Sequence, residues 1–122
     1  MPQEVSKYDE QSVMEALHNC IAHQDYCRGA RILVTEYPDR LVFDNSGSFF
    51  EGHPDDYILG DKSPDRYRNP FLVRAMGELY MIDRMGYGIK RMNEVQAGRY
   101  LPLPDYDLSE VSKVRLTMYG GV

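Results

Sequence analysis

Residues 31–45, RILVTEYPDRLVFDN, decide the fold. Two runs rich in β-branched and aromatic residues, RILVTEY and RLVFD, flank Pro38-Asp39, where proline pre-sets the backbone for a turn. The segment reads as a β-hairpin with strands at 31–36 and 40–45. A third strand signal lies near the end of the chain. In VSKVRLTMY (111–119), Val114, Leu116 and Met118 alternate with Lys113, Arg115 and Thr117, the pattern of a half-buried antiparallel strand.

Helical patterns fill the rest. Over residues 9–24, Val13, Ala16, Leu17, Cys20 and Ile21 fall in one apolar arc when each residue turns the helix by about 100°. Glu15, Asn19 and His23 form a polar stripe at the edge of that arc, placed to look into one cleft. Residues 46–52 (SGSFFEG) read as a flexible loop, residues 54–59 as a short helix closed by Gly60, and residues 61–68 as a polar loop. Asn69-Pro70 starts a helix, with Asn69 as N-cap and Pro70 in the first helical position. Phe71, Leu72, Ala75, Met76 and Leu79 follow at helical spacing as its core stripe. Gly86-Tyr87-Gly88 breaks it from a further helix carrying Ile89, Met92 and Val95 and ending at Gly98, after which Pro102 and Pro104 mark a linker. These elements predict an α+β two-layer sandwich, a mixed or antiparallel sheet covered by helices on one face.

The chain has 122 residues, 43% hydrophobic and 27% charged, within the range of one globular domain. Its 14 basic and 19 acidic side chains give a net charge of −5, which argues against a surface that grips nucleic acid throughout. No apolar run reaches the roughly 18 residues of a membrane span, and residues 1–12 lack the features of a signal peptide. A soluble, cytoplasmic protein is expected. Cys20 and Cys27 are too few for a disulfide scaffold. A zinc site is not expected either, because His18 and Cys20 lie about 160° apart around their helix.

Three constellations could carry chemistry. Glu15 and Asn19 stand one helical turn apart, so that a carboxylate could orient or deprotonate a water while an amide oxygen coordinates Mg²⁺. Gly86 and Gly88 precede a helix, where free N–H groups and the helix dipole favour phosphate. Asp44, Asn45 and Gly47 end the second strand, where a carboxylate or amide could accept from an adenine amino group. Each has a plainer counterpart: a solvated helix face, a tight interhelical turn and a strand-ending turn.

Taken together, the three resemble the signature of the GHKL, or Bergerat-fold, ATPases. The closer similarity is to a divergent subgroup. EALHNCIAHQDY (15–26) resembles its helix motif, PDRLVFDNSG (38–47) its strand-and-turn motif, and RNPFLVRAMGELYMIDRMGYGIKRM (68–92) its RNP-to-Gly-x-Gly motif. LPLPDYD (101–107) and the last strand resemble its ending. Such domains usually form the C-terminal part of proteins described as RecG-related ATP-dependent DNA helicases or transcriptional regulators, with a DNA-binding domain upstream.

The resemblance implies one GHKL-type domain over residues 1–122, taken from the C-terminal part of a larger DNA-associated protein. It implies ATP and Mg²⁺ as ligands, Glu15 as the catalytic, water-orienting carboxylate, and Asn19 as the Mg²⁺ ligand. Asn45 takes the place of the adenine-reading Asp, with Asp44 beside it. Gly47 matches the first glycine of the DxGxG box, and Gly86 and Gly88 match the phosphate-side glycines. The chain departs from the pattern in three places: the box reads Asn45-Ser46-Gly47-Ser48-Phe49, with an amide for the Asp and a phenylalanine for the second glycine, and Lys90-Arg91 follow Gly88-Ile89 where the later glycine-rich part of the phosphate lid would stand. No GxxxxGK[ST] loop exists, so the chain is not a helicase motor by itself. The expected function is an ATP-binding regulatory domain, with or without slow hydrolysis, that meets DNA through the upstream domain and associates with further copies of itself. The alternative is a fold that has lost its nucleotide and serves as an interaction or dimerisation module. Arg66, Arg68, Lys90 and Arg91 could meet phosphate or remain solvated, and Asp25 is expected to fix the end of its helix.

Overall fold

The computed structural model describes residues 6–49, 53–57, 67–82 and 85–121. Helix α1 spans Glu10–His23, and Asp9 caps it by accepting from the Ser12 N–H at 2.9 Å. Strands β1 (Leu33–Tyr37) and β2 (Arg40–Ser46) form the hairpin around Pro38-Asp39. Helices α2 (Pro70–Glu78) and α3 (Met85–Gly98) follow, then β3 (Asp105–Asp107) and β4 (Lys113–Tyr119). Single 3-10 turns lie at Tyr26–Arg28 and Pro54–Tyr57. The four strands of the described residues run antiparallel in the order β1-β2-β4-β3.

Register explains the core. Leu41 stands opposite Met118, Phe43 opposite Leu116 and Asn45 opposite Val114. This face meets Ala16 and Cys20 of α1 and Ile89 and Met92 of α3. Asp44 points to the other face, as the two-residue period of a strand requires. α2 does not add to this main cluster: Met76 joins Ala22 and Ile82 in a smaller one behind α1. The result is the expected α+β sandwich, with a wholly antiparallel sheet.

Four expectations are revised. The segment after Pro102 and Pro104 is not only a linker, because it contains β3. Phe71 and Leu79 do not enter the core: they are 86% and 69% exposed, and Leu72 and Met76 face inward instead. α2 ends at Glu78, well before the glycines. There Tyr80 takes a φ of 57°, and the Met81 N–H bonds Met76 O while the Tyr80 N–H bonds Gly77 O. That closes the helix in a Schellman motif with a tyrosine where glycine is usual. Tyr100, at φ 59°, closes α3 in the same way. Finally, Gly86 and Gly88 lie inside the first turn of α3, not in a break before it. The last two residues of the short helix expected at 54–59, its closure at Gly60 and most of the loop expected at 61–68, Arg66 included, lie outside the described residues.

Two fully buried glutamines fasten the layers. Gln24 accepts from the Ser46 N–H at 2.7 Å and donates to Ala30 O at 2.8 Å. Gln96 donates to Tyr119 O at 2.9 Å and to Pro102 O at 3.1 Å. Asn69 starts α2 but makes no side-chain cap. Its amide donates instead to Ala22 O and Gln24 O, at 2.9 and 2.7 Å, which ties α2 to the end of α1.

Candidate functional site

Between α1, α3 and the sheet lies a small, mostly apolar hollow of about 50 Å³. Ile89, Val114, Leu116, Phe49 and Tyr106 give it greasy walls, and Asn19, His23 and Asn45 bring polar groups to it. Phe49 meets Tyr106 edge-on, with ring centroids 6.2 Å apart. Burial holds the Tyr106 hydroxyl protonated far beyond the usual tyrosine range, reinforced by Cys20 and Glu15. A groove of about 200 Å³ shares Ile89 and Tyr106 with the hollow and is bordered by His53, Asn93 and Pro104.

The α1 stripe divides. Asn19 and His23 line the hollow, but Glu15 does not. It is 6% exposed and lies against Gly88, where a Cβ would stand 1.8 Å from its Oε1. The contact therefore demands a residue without a side chain at position 88. Glu15 also borders a different groove of about 420 Å³, with His18, Met81 and Arg91. The expectation that Glu15, Asn19 and His23 face one cleft is corrected accordingly. Successive members of the stripe drift by about 40° around the helix, enough to turn Glu15 toward α3.

The strand end also divides. Asn45 is 8% exposed and lines the hollow, its Nδ2 donating to Ser46 O at 3.4 Å. Asp44, one residue earlier, forms a two-pronged pair with Arg115 at 2.8 and 3.2 Å on the opposite face, so the structure does not bring it to the hollow. Gly47 has a φ of 98°, and a Cβ there would meet Arg68 Nη1 at 1.8 Å. The guanidinium takes up the missing side chain's room and donates to Ser48 O at 2.9 Å. Gly86 lies in the first turn of α3.

Two buried polar atoms on the α1 wall, Asn19 Oδ1 and His23 Nδ1, have no hydrogen-bond partner among the described residues. The His23 ring is stacked on Tyr67 at 5.9 Å. Burial, aided by the Arg68 guanidinium, pulls its pKa down to about 4, so the imidazole is neutral near pH 7. Sequence reading placed His23 on the polar stripe but gave no signal for Tyr67 and Arg68 around it, because that contact is made only by the fold.

Other side chains singled out by the sequence have these surroundings. Asp25 accepts from the Cys27 N–H at 3.2 Å and the Arg28 Nε–H at 3.1 Å, which fixes the turn after α1. His18 Nδ1 lies 2.7 Å from Met81 O. Burial pushes the Cys20 thiol up to about 12, which keeps it protonated. Lys90 lies 3.9 Å from Glu94. Among the described residues no three His, Cys, Asp or Glu side chains converge as a metal site, and no helix is long and apolar enough to cross a membrane.

The family described as "Putative ATP-dependent DNA helicase recG C-terminal" matches residues 29–118. α1 precedes that span. No curated protein matches the chain. Among solved structures it is similar to the DIP2311 protein from Corynebacterium diphtheriae, with a TM-score of 0.81 and 24% sequence identity. The similarity covers 98% of this chain and 25% of that one, so the chain spans a quarter of that protein's length. At this identity the likeness concerns the fold.

Proposed function

The chain belongs to this family of RecG-type C-terminal domains, which are GHKL-like and ATPase-like, and from that premise we propose that the hollow is the base end of a Mg²⁺-nucleotide site. Its occupancy would regulate a larger DNA-associated protein that meets DNA through another domain, since this one carries a net charge of −5.

One observation carries the reading. Asn19 Oδ1 is buried and has no hydrogen-bond partner among the described residues. An acceptor left in that state costs ~1–3 kcal/mol, and an amide oxygen is a hard donor of the kind Mg²⁺ takes. Asn19 would hold the ion, which when bound supplies positive charge against the phosphates. Asn45 would meet the base, with Ile89 and Leu116 as apolar walls. Small-molecule sites usually offer ~300 Å³ or more, so the hollow must enlarge. Phe49, in the segment after β2, is the side chain placed to turn out. Glu15 would orient water for hydrolysis, but it packs on Gly88 outside the hollow. The geometry therefore favours binding over turnover.

The small volume and Phe49 also favour the second reading, an interaction or dimerisation module without nucleotide. The exposed Phe71, Leu79 and Tyr80 add to it. Titration of MgATP into the domain, followed by amide shifts and heat, separates the two. Changes at Asn19, Asn45 and Gly88 that vanish in Asn19→Ala and on chelating Mg²⁺ support the nucleotide site. No response at millimolar MgATP leaves the interaction module.

A further inference from the structure

The α1 stripe has a direction. Glu15 rests on Gly88 at the start of α3, Asn19 stands one turn on, and His23 stands a further turn on, beside the end of β2. The neighbouring Gln24 is bonded to Ser46 there, one residue past Asn45. If Asn19 meets the phosphate-bound ion, as proposed above, His23 lies toward the base. The wall at that end holds Asn45, an amide in place of a carboxylate, whose Nδ2 donates to Ser46 O. An amide oxygen accepts more weakly than a carboxylate. His23 lines the same hollow, and its Nδ1 is buried with no hydrogen-bond partner among the described residues. The Tyr67 stack fixes the plane of its ring. The ring is neutral, so one of its nitrogens is a bare acceptor.

We propose that His23 is a specificity-determining residue of the nucleotide site: with the ring proton on Nε2, its Nδ1 accepts from the exocyclic amino group of a 6-aminopurine. This inference rests on the nucleotide reading and adds a second residue, on α1, that reads the base. Guanine presents a carbonyl where adenine presents that amino group, and would leave Nδ1 facing another acceptor.

The test compares two ligands that differ only in that group, MgATP and the Mg²⁺ complex of purine riboside triphosphate, which lacks the 6-amino group. Calorimetric titration of the wild-type protein should show MgATP binding about 5–10-fold tighter, the worth of one neutral hydrogen bond. In His23→Phe that preference should disappear, and in His23→Asn, which retains an acceptor, it should return in part. A loss of general packing would weaken both ligands equally and leave their ratio unchanged. Should His23→Phe not fold, the ¹⁵N shift of Nδ1 in the wild-type protein gives the same answer, moving with MgATP and not with the analogue. Equal preference in wild type and His23→Phe, or an Nδ1 shift that ignores the amino group, overturns the role of His23 while leaving nucleotide binding intact. Absence of binding by either ligand overturns the nucleotide reading and this inference together.

Discussion

Asn19 lies in α1 and Gln24 caps its end five residues later, and their amides are treated in opposite ways. Gln24 is enclosed and paired at both its oxygen and its nitrogen. At the far end of the sandwich Gln96 is equally buried, and its amide nitrogen reaches two carbonyls. Asn19 is also placed against the core, yet its oxygen has no partner among the described residues. The chain can therefore satisfy a buried amide wherever that amide holds elements together. The exception lies on the wall of a hollow, and exceptions of this kind are what a ligand site needs.

The contrast can be broken at its paired members first. Gln24→Leu should cost the most, about 3 kcal/mol, because it strands the buried Ser46 N–H along with Ala30 O. Gln96→Leu should cost less, about 1–2 kcal/mol, since it bares only carbonyls. Denaturant midpoints of the two variants check the order, and equal losses would show that the two ends are not distinct.

Protonation strains the open side of the hollow next. The His23 pKa is near 4 in the folded chain and near 6.5 when unfolded. The unfolded state therefore binds the extra proton between those values. The stabilising contribution is complete above pH 6.5, falls as pH drops through that window, and levels off below 4. About 3 kcal/mol is the most it can reach. Unfolding measured across this range should show the slope, and His23→Phe should flatten it.

Smaller effects sharpen the comparison. Replacing Tyr80 by glycine should stabilise the fold by up to about 1 kcal/mol, because its φ of 57° suits glycine and the ring is 95% exposed. Thermal melting checks this. Asn19→Leu should change stability by less than about 0.5 kcal/mol, or raise it, since it removes an unsatisfied group without breaking a bond. The same substitution should abolish the response to MgATP. Destabilisation comparable to Gln24→Leu would mean that Asn19 is a clamp after all.

Much of this architecture was legible in residue order. The hairpin is written in the alternation on either side of Pro38-Asp39, and β4 in the spacing of Val114, Leu116 and Met118. β3 was not legible, because its three residues place only Tyr106 inward and two prolines precede it. Periodicity marked Phe71 and Leu79 as apolar but could not say which side of α2 would be covered. Gly86 and Gly88 looked like a break because glycine disfavours helices. The contact between Gly88 and Glu15 that explains one of them is made across the fold. Around the hollow, Asn19 and Asn45 could be named from motif and strand period. The same period turns Asp44 away, and helical drift removes Glu15. Tyr67 and Arg68 reach His23 and Gly47 only through tertiary packing, of which local order carries no trace.

Gly47 and Arg68 form a single unit although they lie far apart in the sequence. The guanidinium fills the room a side chain would need, and the left-handed backbone beneath it excludes most other residues. A lineage that exchanged the glycine would have to relocate the arginine in the same evolutionary step. Descendants of this domain that keep the arginine in this place should therefore keep the glycine, and removing the guanidinium alone should not make room for a side chain at 47, because the backbone there and the Asp25 Cβ still oppose it.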